Sequence, residues 1–480
     1  MTLRRTSEAY RAATGVLPLA ALLTAALLVA LGRLSPPMIA HESFTLDTVR
    51  IGVWAVVAGT IPLVRSLGAR RMPALPFELP AAVFLALAAF SIVASNNRSV
   101  SANTWLRYAE FVVLAIAVSV VAADSSRRRY VYWSIVAVSS VTAIIAFVQL
   151  LFPTAQTEQF AISGVASVRV FSTFGNPDFY AEFLVVAVAV ALLLCVLETG
   201  VGRALAVTAT IVLGMALALT FTRGSWIALA VAIVIAAGII EARFWWAVAG
   251  GVAVLLGLIP GVAARLDSIT GTSNQPRWDL WKAAWQIIVA HPVFGVGIGR
   301  YLATIRGMYR HSLAVRALIA KPQTAHESYL LLAAETGILG GLAFVWLITE
   351  PVRAGIALAA RASGDRRRLA ETAFLTAAIV AFATNALTSN TFQHPQAAFF
   401  FWIVVGLQAG LGARLWAEDP VPTKTPNGPH ALRAMRSAWA ASSVRLALVR
   451  PPLCGGRLLW DSSFGRWLAG PGDAEASAKS

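Results

Sequence analysis

The sequence predicts an all-α, polytopic integral membrane protein with about twelve transmembrane helices and one large outer loop, and three observations carry that prediction. The chain is 58% hydrophobic with a mean hydropathy of +0.70, far above the apolar share of a soluble domain. Its apolar residues fall in runs long enough to cross a hydrocarbon layer of roughly 30 Å. Its arginines gather in alternate connections, as the positive-inside rule requires.

The apolar runs place spans near 16–34, 48–64, 79–95, 105–123, 131–152, 179–197, 204–221, 226–240, 246–260, 327–349, 371–388 and 397–413. Arg4, Arg5 and Arg11 precede the first run, and Leu-Gly-Arg-Leu-Ser follows it in place of a small-residue cleavage site. That run reads as a retained span, not a removed signal peptide. With the N-terminus inside, the inner connections hold Arg65, Arg70 and Arg71, then Arg127, Arg128 and Arg129, then Arg361, Arg366, Arg367 and Arg368. Both termini are then cytoplasmic. The outer connections are short, near 35–47, 96–104, 153–178, 222–225 and 389–396, except for 261–326. Residues 1–413 form the membrane domain. Residues 414–480 form a basic cytoplasmic tail with Pro420, Pro422 and Pro426 ahead of Arg433, Arg436, Arg445 and Arg450, a composition for disorder or for contact with anionic lipid.

Composition excludes several classes. Two cysteines, Cys195 and Cys454, make no disulfide framework, and no Cys/His spacing suits zinc. The formal charge of +16 would suggest nucleic acid in a soluble chain, but membrane topology accounts for much of it. No P-loop, ATPase module or acidic DxD-type pair is present, so no metal, nucleotide or other cofactor is expected. Gly295, Gly297 and Gly299 make a GxGxG without βαβ context; beside Pro292 and Arg300 it reads as a turn.

The 261–326 loop breaks the charge rule, carrying Arg265, Arg277, Lys282, Arg300, Arg306, Arg310, Arg316 and Lys321 against few acids. Long loops cross largely regardless of charge, so one reading is a solvated basic surface and the other an anion-binding lid. Within it, Pro276 opens and Pro292 follows a helix with Trp278, Trp281, Trp285 and Ile288 about one face, the pattern of a helix lying in the interface.

Ordered motifs run through the middle of the chain. They are Phe174-Gly175-Asn176-Pro177-Asp178-Phe179, Thr222-Arg223-Gly224-Ser225, Arg277-Trp278, His291-Pro292-Val293-Phe294-Gly295-Val296-Gly297, and His326-Glu327-Ser328-Tyr329 through Glu335-Thr336-Gly337-Ile338-Leu339-Gly340. In these, over about residues 165–345, the chain resembles the bacterial O-antigen ligase and O-antigen polymerase superfamily of membrane glycosyltransferases. It departs from the family's usual residues at Asp178 and Glu327.

The resemblance implies an undecaprenyl-diphosphate-linked glycan as donor. Its sugar would pass to a hydroxyl of lipid A–core on the periplasmic face of the inner membrane, with inversion and without metal or ATP. The alternative within the superfamily is a polymerase, whose acceptor is another glycan. The residues suit that chemistry, because the diphosphate is already a leaving group and a planar guanidinium stabilises charge growing on its oxygens. Arg223, in a four-residue turn between spans, Arg277 at the start of the loop helix, and Arg169 before the Phe-Gly-Asn motif are the diphosphate candidates. His326, after the cationic loop, is the candidate general base. Asn176 and Glu335 are candidate sugar or acceptor contacts, Glu335 reading first as a structural polar group. Arg107 and Glu110, three apart in the fourth span, read as an intramembrane pair, and His394 as interfacial. Two other classes fit many spans: a secondary transporter, against which no half-to-half repeat is visible, and a non-catalytic membrane scaffold.

Overall fold

A computed structural model describes residues 2–32, 39–41, 44–67, 75–153, 158–162, 165–240, 275–308 and 327–418. Among these, the helices are α1 (Thr2–Leu31), α2 (Thr48–Leu67), α3 (Glu78–Ala94), α4 (Arg98–Ala122), α5 (Ser125–Leu151), α6 (Pro177–Leu197), α7 (Gly200–Leu219), α8 (Arg223–Ile240), α9 (Gln275–Ala290), α10 (Tyr301–Met308), α11 (Ser328–Arg361), α12 (Arg366–Asn385) and α13 (Pro395–Glu418). Every expected span except 246–260, which lies outside the described residues, coincides with one of them. Eight are long and apolar enough to cross a membrane, and Val16–Leu31 and Glu78–Ala94 are shorter apolar helices. The chain is an all-α membrane protein.

Two short antiparallel hairpins, β1 (Ile39–His41) with β2 (Phe44–Leu46) and β3 (Glu158–Ile162) with β4 (Val165–Arg169), lie in connections that the sequence reading left without structure. Arg169 ends β4, so the hairpin delivers it to the motif that follows.

Helices α6 and α13 form the centre, with Phe183 against Phe400 at 4.5 Å between ring centroids and Phe382 against Phe401 at 4.6 Å. Gly406 and Gly410 let α13 lie directly on Ala115 and Ala122 of α4, the small-residue route to close helix approach in lipid. Phe90, Ile144, Leu205, Ile211 and Leu342 point outward, as they would toward acyl chains.

Most acids and arginines buried among the described residues are paired, because an unpaired charge in hydrocarbon is costly, and Glu78 at the start of α3 is an exception, with neither carboxylate oxygen bonded. Arg50 of α2 donates to Glu110 of α4 at 2.9 Å and to Asn103 at 3.1 Å. Arg107 donates instead to Asp47, at 2.7 and 3.0 Å. The expected Arg107–Glu110 pair is present as the longer contact, at 4.0 Å, and each member also has a nearer partner from the α1–α2 side. Arg107 holds Asp47 below the usual carboxylate range against the opposing effect of burial. At the opposite end of the bundle, Arg128 pairs with Glu371 at 2.9 Å, Arg129 pairs with Glu198, and Arg367 donates to the Leu197 carbonyl at 3.1 Å. These are the arginines assigned to the inner face.

Helix α9 corrects the orientation of the loop helix. Leu280, Ala283, Ala284, Ile287 and Ile288 are buried toward the bundle, whereas Trp278 and Trp285 are exposed. Ile288 thus lies on the packed face, and the two tryptophans face outward.

Candidate functional site

Helix α7 ends at Leu219 and α8 begins at Arg223, so the chain reverses in Thr220-Phe221-Thr222. Phe221 adopts φ +53°, a left-handed conformation that costs a bulky side chain of order 1–3 kcal/mol unless the surroundings enforce it. The enforcing contacts come from the Phe-Gly-Asn segment. The Val170 N–H donates to the Leu219 carbonyl at 3.3 Å, and Arg169 Nε donates to the Thr220 carbonyl at 2.8 Å.

The second arm of that guanidinium joins two motifs. Arg169 Nη2 donates to Asp178 Oδ1 at 2.6 Å and to Thr222 Oγ1 at 3.1 Å, while the Thr222 hydroxyl donates to the same Asp178 oxygen at 2.9 Å. Asn176 caps α6, its Oδ1 accepting the Asp178 N–H at 2.7 Å. The Phe-Gly-Asn-Pro-Asp and Thr-Arg-Gly-Ser segments are thereby fixed to one another, with Arg223 next in the chain. Arg223 is half-buried.

The other side of the turn meets the α12–α13 connection. A Cβ on Gly224 would collide with Thr388, and the Ser225 hydroxyl lies 3.4 Å from Asn385 Oδ1. The same connection receives the start of α11: the Ser328 N–H donates to the Ala386 carbonyl at 2.9 Å, and its hydroxyl reaches the Ser389 carbonyl at 3.1 Å and Gln393 at 3.0 Å. Glu327 caps α11 by accepting from the Tyr329 and Leu330 N–H groups, and its burial pushes the carboxyl up to about 7. His326, one residue earlier, lies outside the described residues. Arg277 sits in the first turn of α9, its side chain also outside them.

Glu335 is two turns into α11 and buried. Its carboxylate accepts the Tyr301 N–H at 2.9 Å, and the Gly297 N–H donates to its carbonyl at 2.9 Å. The Gly295-to-Gly299 segment is a turn, as expected, with φ of +64°, +97° and +77° at its three glycines. It enters a break in α11 at Gly337, φ +78°, where the Ile338 N–H donates to the Pro292 carbonyl at 2.9 Å. Glu335 therefore holds the Gly295-to-Gly299 turn against the bundle.

Sequence reading missed one group. Glu182, on α6, is 1% exposed and lies 2.7 Å from Nδ1 of His394, and it also accepts the Ser389 hydroxyl. His394 is buried at the start of α13, not merely interfacial, with its ring 3.3 Å from that of Phe179. An acid inside an apolar span was the available signal, because such a group needs a partner.

Residues 208–345 match the family model described as O-antigen ligase. The chain carries an O-antigen ligase family domain. The matched segment contains the Thr-Arg-Gly-Ser turn, residues 261–326 and the start of α11 through Val345. Residues 169–178, tied to the turn by Arg169, lie outside it. No curated protein matches the chain. The family is that of glycosyltransferase-like membrane enzymes acting on glycans and lipid-linked substrates.

Proposed function

We propose that the protein is an inverting glycosyltransferase that moves a glycan from undecaprenyl diphosphate to an acceptor hydroxyl of lipid A–core, at the periplasmic face of the inner membrane. It spans the membrane about twelve times in this reading, with both termini in the cytoplasm and 261–326 outside. The observation that supports it most is the meeting of the Phe-Gly-Asn and Thr-Arg-Gly-Ser motifs with Glu327 and Ser328 at one end of the bundle, through Arg169, Asp178, Thr222 and the Asn385-to-His394 connection.

Arg223 and Arg277 bind the donor's diphosphate and stabilise the charge that grows on the leaving oxygen. Arg169 reaches the diphosphate indirectly. Its guanidinium is occupied by Asp178 and by the Thr220 carbonyl, so it positions the turn that presents Arg223. His326 accepts the proton of the acceptor hydroxyl as that oxygen attacks the anomeric carbon and the bond to the diphosphate breaks. Asn176 and Glu335 act through structure, the first as a cap and the second as the anchor of the loop. Energy for transfer resides in the diphosphate linkage, so the reaction calls for neither ATP nor metal.

The test is transfer by the purified full chain in nanodiscs, assayed in EDTA without ATP, using an undecaprenyl-diphosphate-linked glycan and lipid A–core. Wild type is expected to transfer, and His326→Ala to lose transfer by about 10²–10⁴-fold while eluting and unfolding like wild type. Near-normal transfer by His326→Ala overturns its assignment as base. An absolute requirement for divalent metal overturns the metal-free mechanism.

A further inference from the structure

A cleft of about 250 Å³ opens between the starts of α6 and α13, lined by Phe174, Phe179, His394, Pro395, Gln396 and Ala397. It sits at the same end of the bundle as the site above. Thr173 donates to the Ala30 carbonyl and Gln396 to that of Val29, at 2.9 Å, which closes the cleft's flank against α1.

Its polar wall is an oriented imidazole. Glu182 is buried, and among the described residues His394 is the only basic side chain within ion-pair distance of it, with Nδ1 2.7 Å from its carboxylate. In the neutral ring that bond keeps the proton on Nδ1 and leaves Nε2 as a hydrogen-bond acceptor, strengthened by the carboxylate behind it. The Ser389 hydroxyl fills the other carboxylate oxygen, so the acid is fully engaged within the fold. Aromatic faces beside a polarised acceptor suit a pyranose, which presents C–H groups on its faces and hydroxyls at its edge. The volume falls below the roughly 300 Å³ at which drug-sized sites begin, so the occupant is about one sugar ring and not a chain.

We propose that the His394–Glu182 dyad and the Phe174–Phe179 wall form a saccharide-binding subsite, in which Nε2 of His394 accepts a hydrogen bond from a glycan hydroxyl. The subsite rests on the transferase reading for its biological substrate, though not for its chemistry. Glu182 is a positioning residue that acts through His394. The glycan could come from the donor or from the acceptor, and both present the same hydroxyls.

The experiment uses the full chain in nanodiscs with two saccharide probes free of lipid, core oligosaccharide and free glycan repeat, and a short-chain polyprenyl phosphate as a separate probe, observed by saturation-transfer NMR. Glu182→Gln, an isostere that keeps the fold, and Phe179→Leu, which leaves the dyad intact, accompany His394→Ala. Wild type is expected to transfer saturation to one probe, and each variant to weaken that binding by about tenfold. In transfer assays the KM for the matching substrate rises by a similar factor while kcat is largely retained. A raised donor KM identifies the donor glycan as occupant, and a raised acceptor KM identifies the acceptor. Wild-type binding and both KM values unchanged in all three variants overturn the subsite. So does loss of polyprenyl phosphate binding with saccharide binding untouched, which makes the cleft a lipid site. If wild type binds saccharide through His394 yet transfers nothing, the transferase reading fails and the subsite stands.

Discussion

At the residue scale, the arginines divide by what already holds them. Arg169 is 9% exposed and bridges Asp178, Thr220 and Thr222, so its loss should loosen the turn. Arg223 and Arg277 are the residues proposed to meet substrate. Each mutated to alanine should weaken donor use by about 10²-fold or more, and lysine should rescue poorly because an ammonium lacks the paired donors of a guanidinium. Donor KM and kcat of the purified variants check this, and full rescue by lysine at both positions would rule out bidentate grip. Glu327 offers a second test, in stability. Burial raises its carboxyl from 4.5 to about 7, against the Leu330 and Tyr329 N–H groups that favour its charged form. The folded chain therefore keeps a proton that the unfolded chain releases. This contribution is fully present below about pH 4.5 and is lost as pH rises through about 7. The thermal unfolding midpoint should fall across that window, and Glu327→Gln should flatten the fall. An equal slope in the variant would mean that Glu327 does not titrate there.

At the element scale, the break in α11 joins the 292–299 turn to the bundle. Gly337 has φ +78°, and a Cβ there would run into the Val293 carbonyl. Gly337→Ala combines left-handed strain with a collision against backbone, so it should destabilise by about 1–3 kcal/mol and release the 292–299 turn. Hydrogen exchange in residues 291–301 reads this directly, and protection equal to wild type would exclude it. Sequence showed the spans well, because a run of apolar residues is a local signal. It showed the GxGxG turn and the limits of α9 for the same reason, through Pro276, Pro292 and the glycines. It did not show pairings between distant residues. The i,i+3 rule joined Arg107 to Glu110, which the fold keeps at 4.0 Å, but the shorter bonds run from Arg50 to Glu110, sixty positions away, and from Arg107 to Asp47. Glu182 and His394 are 212 positions apart, and a histidine before a proline in a short loop looks like an interfacial residue until the helix opposite is known.

At the scale of the molecule, the two ends of the bundle differ in kind. One end holds Arg128 with Glu371, Arg129 with Glu198, and Arg367 on the Leu197 carbonyl, a basic rim in which Arg129 draws the Glu198 carboxyl below its usual range. The other end collects the starts of α6, α8, α11 and α13, with Arg169, Arg223, Glu327 and His394. The positive-inside rule puts the first end in the cytoplasm, and the proposed donor presents its glycan at the second. That orientation is testable without any substrate. In a chain whose Cys195 and Cys454 are replaced by serine, single cysteines at Ser126 and Arg366 should react with a membrane-impermeant maleimide only after spheroplasts are permeabilised. Cysteines at Asn96 and Gly175 should react in intact spheroplasts. The reverse pattern would put Arg223 and the His394 cleft in the cytoplasm, where a periplasmic acceptor cannot reach them, and the proposed transfer would be untenable whatever the motifs resemble.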